Sequence, residues 1–252
     1  MAEHAPGAEH ADPAHDEPLV GVLGGVGPMA TAYFLQRVVA LTKAERDQDH
    51  LDMVVLDHAT IPDRTAFVLG RSPQDPGPVL ASDARRLEAF GAAFLVMPCN
   101  TAHHFTQQVV DAVQVPFVSI VETTVDAVRA RIADRTTVGL LATEGTVAAR
   151  VYQDAFAAHG VETIVPDDAD QAVVSSVIYD QVKAGRPVDL PALRGVVGRL
   201  AERGAAAVVL GCTELSVAAV DHDLLADPLY VDSLDQLARA TIVRAGHELR
   251  AD

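Results

Sequence analysis

The chain has 252 residues, 49% hydrophobic and 21% charged, with a formal net charge of −16 and two cysteines. That length buries a substantial core and fits two domains of ordinary size. The charge opposes nucleic acid and acidic membranes, both of which are bound through Lys and Arg, and no apolar run approaches the roughly 18 to 20 residues that cross a bilayer.

Residues 1–18, MAEHAPGAEHADPAHDEP, hold five acids, three histidines and no Lys or Arg. They lack the cationic start and apolar centre of a secretory signal and read as a disordered acidic tail. A cytoplasmic location follows as the default, with both thiols free. The three tail histidines have no packed scaffold around them to hold a metal.

From there, apolar β-branched runs alternate with stretches of helical period, the pattern of βαβ units and parallel sheets flanked by helices. Strands are predicted near 19–24, 52–57, 93–98, 116–120, 137–142, 161–165 and 206–211, with helices filling most of the gaps. Pro28 suits the first turn of a helix running to about Arg46, and Gly91 and Gly160 stand where helices should stop. "RSPQDPGPV", from Arg71, is a loop by its Pro and Gly content. The fold class expected is α/β.

An internal echo refines this. "VGVLGGVG" from Val20 and "VGLLATEG" from Val138 lie 118 residues apart, and the two cysteines lie 113 apart. A duplicated α/β unit gives such offsets, although eight residues of similarity also arise by chance among Val-rich strands. If the copies face each other about a pseudo-twofold axis, Cys99 and Cys212 approach one cleft from opposite sides.

Each cysteine ends an apolar run, in "LVMPCNTAHH" from Leu95 and in "VVLGCTELS" from Val208, and so sits at the carboxyl end of a parallel sheet, where open α/β folds bind ligands. Asn100, Thr101 and Thr213 would cap the helices that follow, and the helix N-termini would favour an anion and lower each thiol pKa. A single buried Cys is usually inert packing. Zinc would draw on Cys99, His103, His104 and Cys212, but the paired CxxC or HxxxH spacing is missing; His103, one helical turn beyond Cys99, instead orients the site, and His104 points elsewhere. Two thiols across a cleft suit removal of a proton from one face of a carbon and its return on the other. Such a reaction needs preorganised donors for the developing charge. Asn100, Thr101, Thr143, Thr146 and Thr213, with backbone N–H groups near Gly25 to Gly27, are the candidates, and no cofactor is then required. "GVGPMA" from Gly25 also fits a dinucleotide fingerprint, but Asp57 follows at the wrong distance and Pro28 removes an N–H that pyrophosphate would seek.

At these residues the chain resembles the aspartate/glutamate racemase family, in its aspartate racemase branch. The resemblance runs from about Leu19 to the end and rests on "GGVGPMAT" from Gly24, "IPDRT" from Ile61, "MPCNTAH" from Met97, "LATEGT" from Leu141 and "GCTEL" from Gly211, in that order. It implies two pseudo-symmetric α/β domains, 19–120 with 228–252 and then 121–227, with the active site in the cleft between them. It further implies a homodimer, no pyridoxal phosphate, and catalysis by Cys99 and Cys212 on an amino acid, aspartate or glutamate. Gly25, Gly27, Asn100, Thr101, Thr143, Thr146, Thr213 and Glu214 would surround the substrate, and Glu214 or Asp57 would tune a thiol or meet the ammonium group. Arg64 matches the arginine that grips the distal carboxylate, a task suited to a bidentate guanidinium. One departure stands out: where relatives carry a second basic residue this chain has "VVSSV" from Val173, with Lys183 and Arg186 only further along. If no second cation reaches the cleft, less polar side chains become acceptable. Two-cysteine hydantoin racemases and maleate isomerases, and a non-catalytic amino-acid-binding protein on the same scaffold, remain open alternatives.

Overall fold

A computed structural model describes residues 17–132 and 136–251; the tail through Asp16 lies outside them. Among the described residues eight strands form two four-stranded sheets. The first contains β1 (Val20–Gly24), β2 (Met53–Asp57), β3 (Phe94–Val96) and β4 (Phe117–Val118), in the order β2-β1-β3-β4. The second contains β5 (Thr137–Ala142), β6 (Glu162–Ile164), β7 (Val208–Gly211) and β8 (Tyr230–Asp232), in the order β6-β5-β7-β8. Every pairing is parallel. The central strands β1, β3 and β7 are buried along their whole length, as strands covered on both faces must be.

The two sheets share one strand order, and the echoing sequences occupy equivalent places in it. β1 and β5 each lie beside the strand that leads into a cysteine, β3 and β7 respectively. Apolar side chains fill three clusters. One joins the two halves, with Val22 and Phe34 from the first packed in the same cluster as Leu140 and Tyr152 from the second. The other two cover the outer face of the first sheet, around Leu80 and Met97, and of the second, around Val196 and Leu210. Helix Ser233–Arg244 closes the joint by packing against helices Pro28–Leu41 and Ile120–Ile132.

Seven strands lie where the apolar runs predict them. β8 was not predicted, because three residues after a polar stretch carry no readable period. It pairs with β7 in the register Val208↔Tyr230, so the second sheet extends past residue 227, where the first domain was expected to resume. The first helix begins at Pro28 but ends at Leu41, short of Arg46. Thr42 turns extended and bridges Leu249, while Lys43 N–H donates to the Glu248 carbonyl (2.9 Å) and Arg250 N–H to the Leu41 carbonyl (2.7 Å). The far end of the chain captures these backbone groups, a long-range competition that local propensity does not reveal. Gly91 and Gly160 do end helices, with φ of 104° and 71°.

The loop after β1 is fixed against the loop after β2. Gly25 has φ 79°, and a Cβ there would sit 2.2 Å from the His58 carbonyl carbon. Its N–H donates to the Thr31 hydroxyl at 3.0 Å, which ties the turn to the helix beginning at Pro28.

Candidate active site

Both cysteines leave the carboxyl ends of equivalent strands and line one cavity of about 40 Å³. Arg64, Asn100, Thr101, Thr143, Thr213 and Glu214 line it with them. Thr146, fully buried, stands one layer behind: its hydroxyl contacts those of Thr101 (2.8 Å) and Thr143 (3.0 Å), which also contact each other (3.1 Å). This hydroxyl triangle spans the two halves. Gly25 and Gly27 line an adjoining chamber instead, and the Gly25 N–H is already committed to Thr31. Asp57 is exposed at the end of β2 and does not reach the cavity.

The turn at Cys99 is held from below. The Cys99 N–H donates to the Met97 carbonyl at 2.8 Å, and the buried His103 ring spans the Cys99 carbonyl (Nδ1, 2.7 Å) and the Ile120 N–H (Nε2, 3.1 Å). These partners assign Nδ1 as donor and Nε2 as acceptor, so both ring nitrogens are engaged. Burial pushes the His103 pKa down to about 4, leaving a neutral anchor. His104 is exposed and packs edge-on against Phe105, away from the site.

Two side chains that line the cavity carry unpaired donors. The Asn100 Oδ1 accepts from the buried Tyr152 hydroxyl at 2.5 Å, but Asn100 Nδ2 is buried without a partner. Arg64 is steadied through Nη1 by the carbonyls of Ile61 (3.3 Å) and Pro62 (3.2 Å), and its Nε is likewise buried and unpaired. Arg64 does not pair with Asp63, whose carboxylate caps helix Arg64–Val68 by accepting from the Ala66 N–H at 2.7 Å. An orphaned buried donor costs about 1–3 kcal/mol, a cost that a bound acceptor would offset.

Two expectations are corrected. Neither Asn100 nor Thr213 caps its helix: Asn100 makes no side-chain cap bond, and Cys212 itself stands at the N-cap of Thr213–Asp221. Nor is the Cys212 thiol pKa lowered. Burial, and then the Glu214 carboxylate, hold it well above the ordinary value. Cys212 Sγ–H donates to Glu214 Oε2 at 2.9 Å, and the Thr213 hydroxyl donates to the same oxygen at 3.2 Å. A carboxylate in contact with the sulfur outweighs the partial charge of a nine-residue helix.

The second cation also arrives where the sequence did not place it. Lys183 lines the cavity, with Nζ 3.5 Å from Glu214 Oε1 and 4.8 Å from the Tyr179 ring centre. Burial works against its charge, but Glu214 prevails and the ammonium titrates above the usual lysine value. Helix Asp168–Ser176 runs into a π-helical turn, Val177–Val182, with Lys183 N–H bonded to the Ile178 carbonyl five residues back. The wider turn shifts the face on which Lys183 emerges. Tyr179, Thr65 and Asp63 line the cavity as well; nothing in their local pattern distinguished them.

Comparison with known proteins gives the family and the fold. The profile of the Asp/Glu/hydantoin racemase family matches residues 23–241. A broad specificity amino-acid racemase, RacX, of Bacillus subtilis (strain 168) is 28% identical over 230 residues, covering 89% of this chain and 96% of its own. Among solved structures, the Picrophilus torridus aspartate racemase superposes with a TM-score of 0.80 at 28% identity, covering 92% of this chain and 96% of that one. A glutamate racemase from Francisella tularensis, solved with D-glutamate, shares the fold at a TM-score of 0.65 and 17% identity, covering 91% of this chain and 81% of that one.

Two measurements check the site's electrostatics. With Cys99→Ser leaving Cys212 as the sole thiol, Glu214→Gln removes the charge that opposes thiolate, so the pH midpoint of iodoacetamide alkylation moves down; an unchanged midpoint would exclude control by Glu214. For His103, the unfolded chain binds a proton below pH 6.5 and the folded one only below about 4. Its contribution of roughly 3 kcal/mol is therefore lost as pH falls through that window. Asp232, its carboxyl pushed up to about 7 by burial, acts oppositely over the same range. Urea unfolding of wild type against His103→Gln isolates the difference, which should shrink steadily from pH 6.5 to 4.

Proposed function

The chain belongs to the Asp/Glu/hydantoin racemase family and is an amino-acid racemase, an isomerase, and from that premise we propose that it inverts aspartate or glutamate at Cα with Cys99 and Cys212 as the two bases. The observation that carries this is the convergence of both sulfurs, and of two orphaned donors, on one cavity. In one direction a Cys99 thiolate takes the Cα proton, leaving the electron pair on the substrate carbon and its carboxylate. The Cys212 thiol then returns a proton to the opposite face. The enantiomer reverses the roles.

Glu214 favours this starting state by keeping the proton on Cys212, and Lys183 beside it offsets part of the charge when Cys212 becomes thiolate. Asn100 Nδ2 and the hydroxyls of Thr101 and Thr143 are suited to the α-carboxylate, where negative charge grows. Arg64 and Lys183 are suited to the distal carboxylate. Thr146 contributes by fixing the other two hydroxyls. The 28% identity to an aspartate racemase supports the acidic substrate.

Two experiments test the assignment. Cys99→Ser and Cys212→Ser should each lower racemisation by roughly 10²-fold or more with the fold intact, as expected for loss of a proton-transfer group; near-normal turnover by either would defeat the two-base scheme. Arg64→Ala should lower Cα exchange of aspartate roughly tenfold more than that of alanine. Equal losses would make Arg64 a structural residue.

A further inference from the structure

The cavity that holds the sulfurs is small, but Arg64, Lys183, Thr213 and Glu214 also line a second chamber of about 300 Å³. Neither cysteine lines that chamber, nor do Asn100, Thr101 and Thr143, so it opens on the side away from the hydroxyl cluster. Past the four shared residues its wall is apolar: Pro28, Met29, Ala30, Ala59, Val182 and Val217. Met29 is 72% exposed, an unbranched, adaptable side chain with little to pack against. The passage between the two spaces is not strongly cationic either. Lys183 is balanced by Glu214 at 3.5 Å, and Arg64 is then the one cation there without a carboxylate partner among the described residues.

We infer that this chamber is the side-chain subsite of the enzyme, and that its substrates include amino acids with neutral aliphatic side chains longer than that of aspartate, such as leucine and norleucine. The inference rests on the racemase function proposed above. A substrate held by its α-carboxylate at the hydroxyl cluster, with Cα between the sulfurs, directs its side chain past Arg64 and Lys183. A short acidic chain stops at those cations. A longer apolar chain passes the balanced Lys183–Glu214 pair and leaves water for the wall of Met29, Val182 and Val217, where each added methylene is favoured. The uncharged chain leaves the Lys183–Glu214 pair intact, and Arg64 Nη1 keeps the Ile61 and Pro62 carbonyls while Arg64 Nε stays unpaired, as it is without a substrate.

The test is exchange of the Cα hydrogen in deuterated water, with the full chain and with L-aspartate, L-leucine and L-norleucine in parallel. Exchange of leucine and norleucine within about tenfold of aspartate is expected, since apolar pockets discriminate modestly per methylene. Val217→Phe and Met29→Trp narrow the chamber, and each should lower the ratio of norleucine to aspartate exchange by roughly tenfold or more. Met29, being exposed, makes the second substitution independent of any folding defect in the first. Exchange of aspartate without leucine or norleucine, or a ratio unmoved in both variants, would overturn the inference and make the chamber an entrance only. Absence of exchange with every amino acid is a different result: it would overturn the racemase function, and this inference with it.

Discussion

The contact on which the site depends is the hydroxyl triangle of Thr101, Thr143 and Thr146. Thr101 opens the 3-10 helix that follows β3 in the first half, and Thr143 and Thr146 lie at the N-cap and in the first turn of helix Glu144–Ala149 after β5 in the second. Three buried hydroxyls are unfavourable apart, since each loses its water. Together their three oxygens lie within hydrogen-bond distance of one another, so the halves of the molecule are joined by groups that can satisfy one another in this alignment. The same alignment brings the two strand ends, and hence the two sulfurs, to a common cavity. Because a hydroxyl rotates about its C–O bond, a member of the cluster can turn its one hydrogen to another acceptor only by giving up the bond it donates within the triangle.

Around that fixed point the charges are arranged locally, with little regard to the total. The chain carries −16 overall, which would repel a dicarboxylate, yet exposed charges are screened beyond about 8 Å at physiological salt. The cavity itself is lined by Arg64, Asn100, Thr101, Thr143, Thr213 and Lys183, so cations and polar groups stand close to both sulfurs. Glu214 tempers this set. It accepts from the Cys212 thiol and pairs with Lys183, and so couples the protonation of one sulfur to a cation that lines the same cavity. The two cysteines are thereby made unequal although their strands are equivalent: Cys212 keeps a carboxylate beside its sulfur, while Cys99 has its carbonyl pinned by a neutral histidine.

Much of this was legible in the sequence. Seven of the eight strands among the described residues announced themselves as β-branched runs, and the echo of Val20 with Val138 anticipated a second sheet built in the order of the first. Both cysteines were placed at strand ends by the apolar run before each of them. His103 was assigned an orienting role from its four-residue spacing, and it holds the Cys99 carbonyl. These features share a cause: they depend on periods of two or of about four residues, which a strand or a helix imposes on its own segment.

What the tertiary structure decided lies beyond such periods. Lys183, which follows the π-turn at Val177–Val182, lines the cavity, whereas the sequence left open whether a second cation reaches it. Thr146 went behind the cavity wall, and β8 was made a strand by its pairing with β7. Burial of the Cys212 sulfur, and then Glu214 beside it, reversed the effect expected of a helix N-terminus on that thiol. The sequence by itself determined the duplicated parallel sheets and the position of both thiols, because backbone geometry repeats locally. Which groups share a cavity, and which proton each of them keeps, was settled only on folding, because burial and contact between distant segments set those energies.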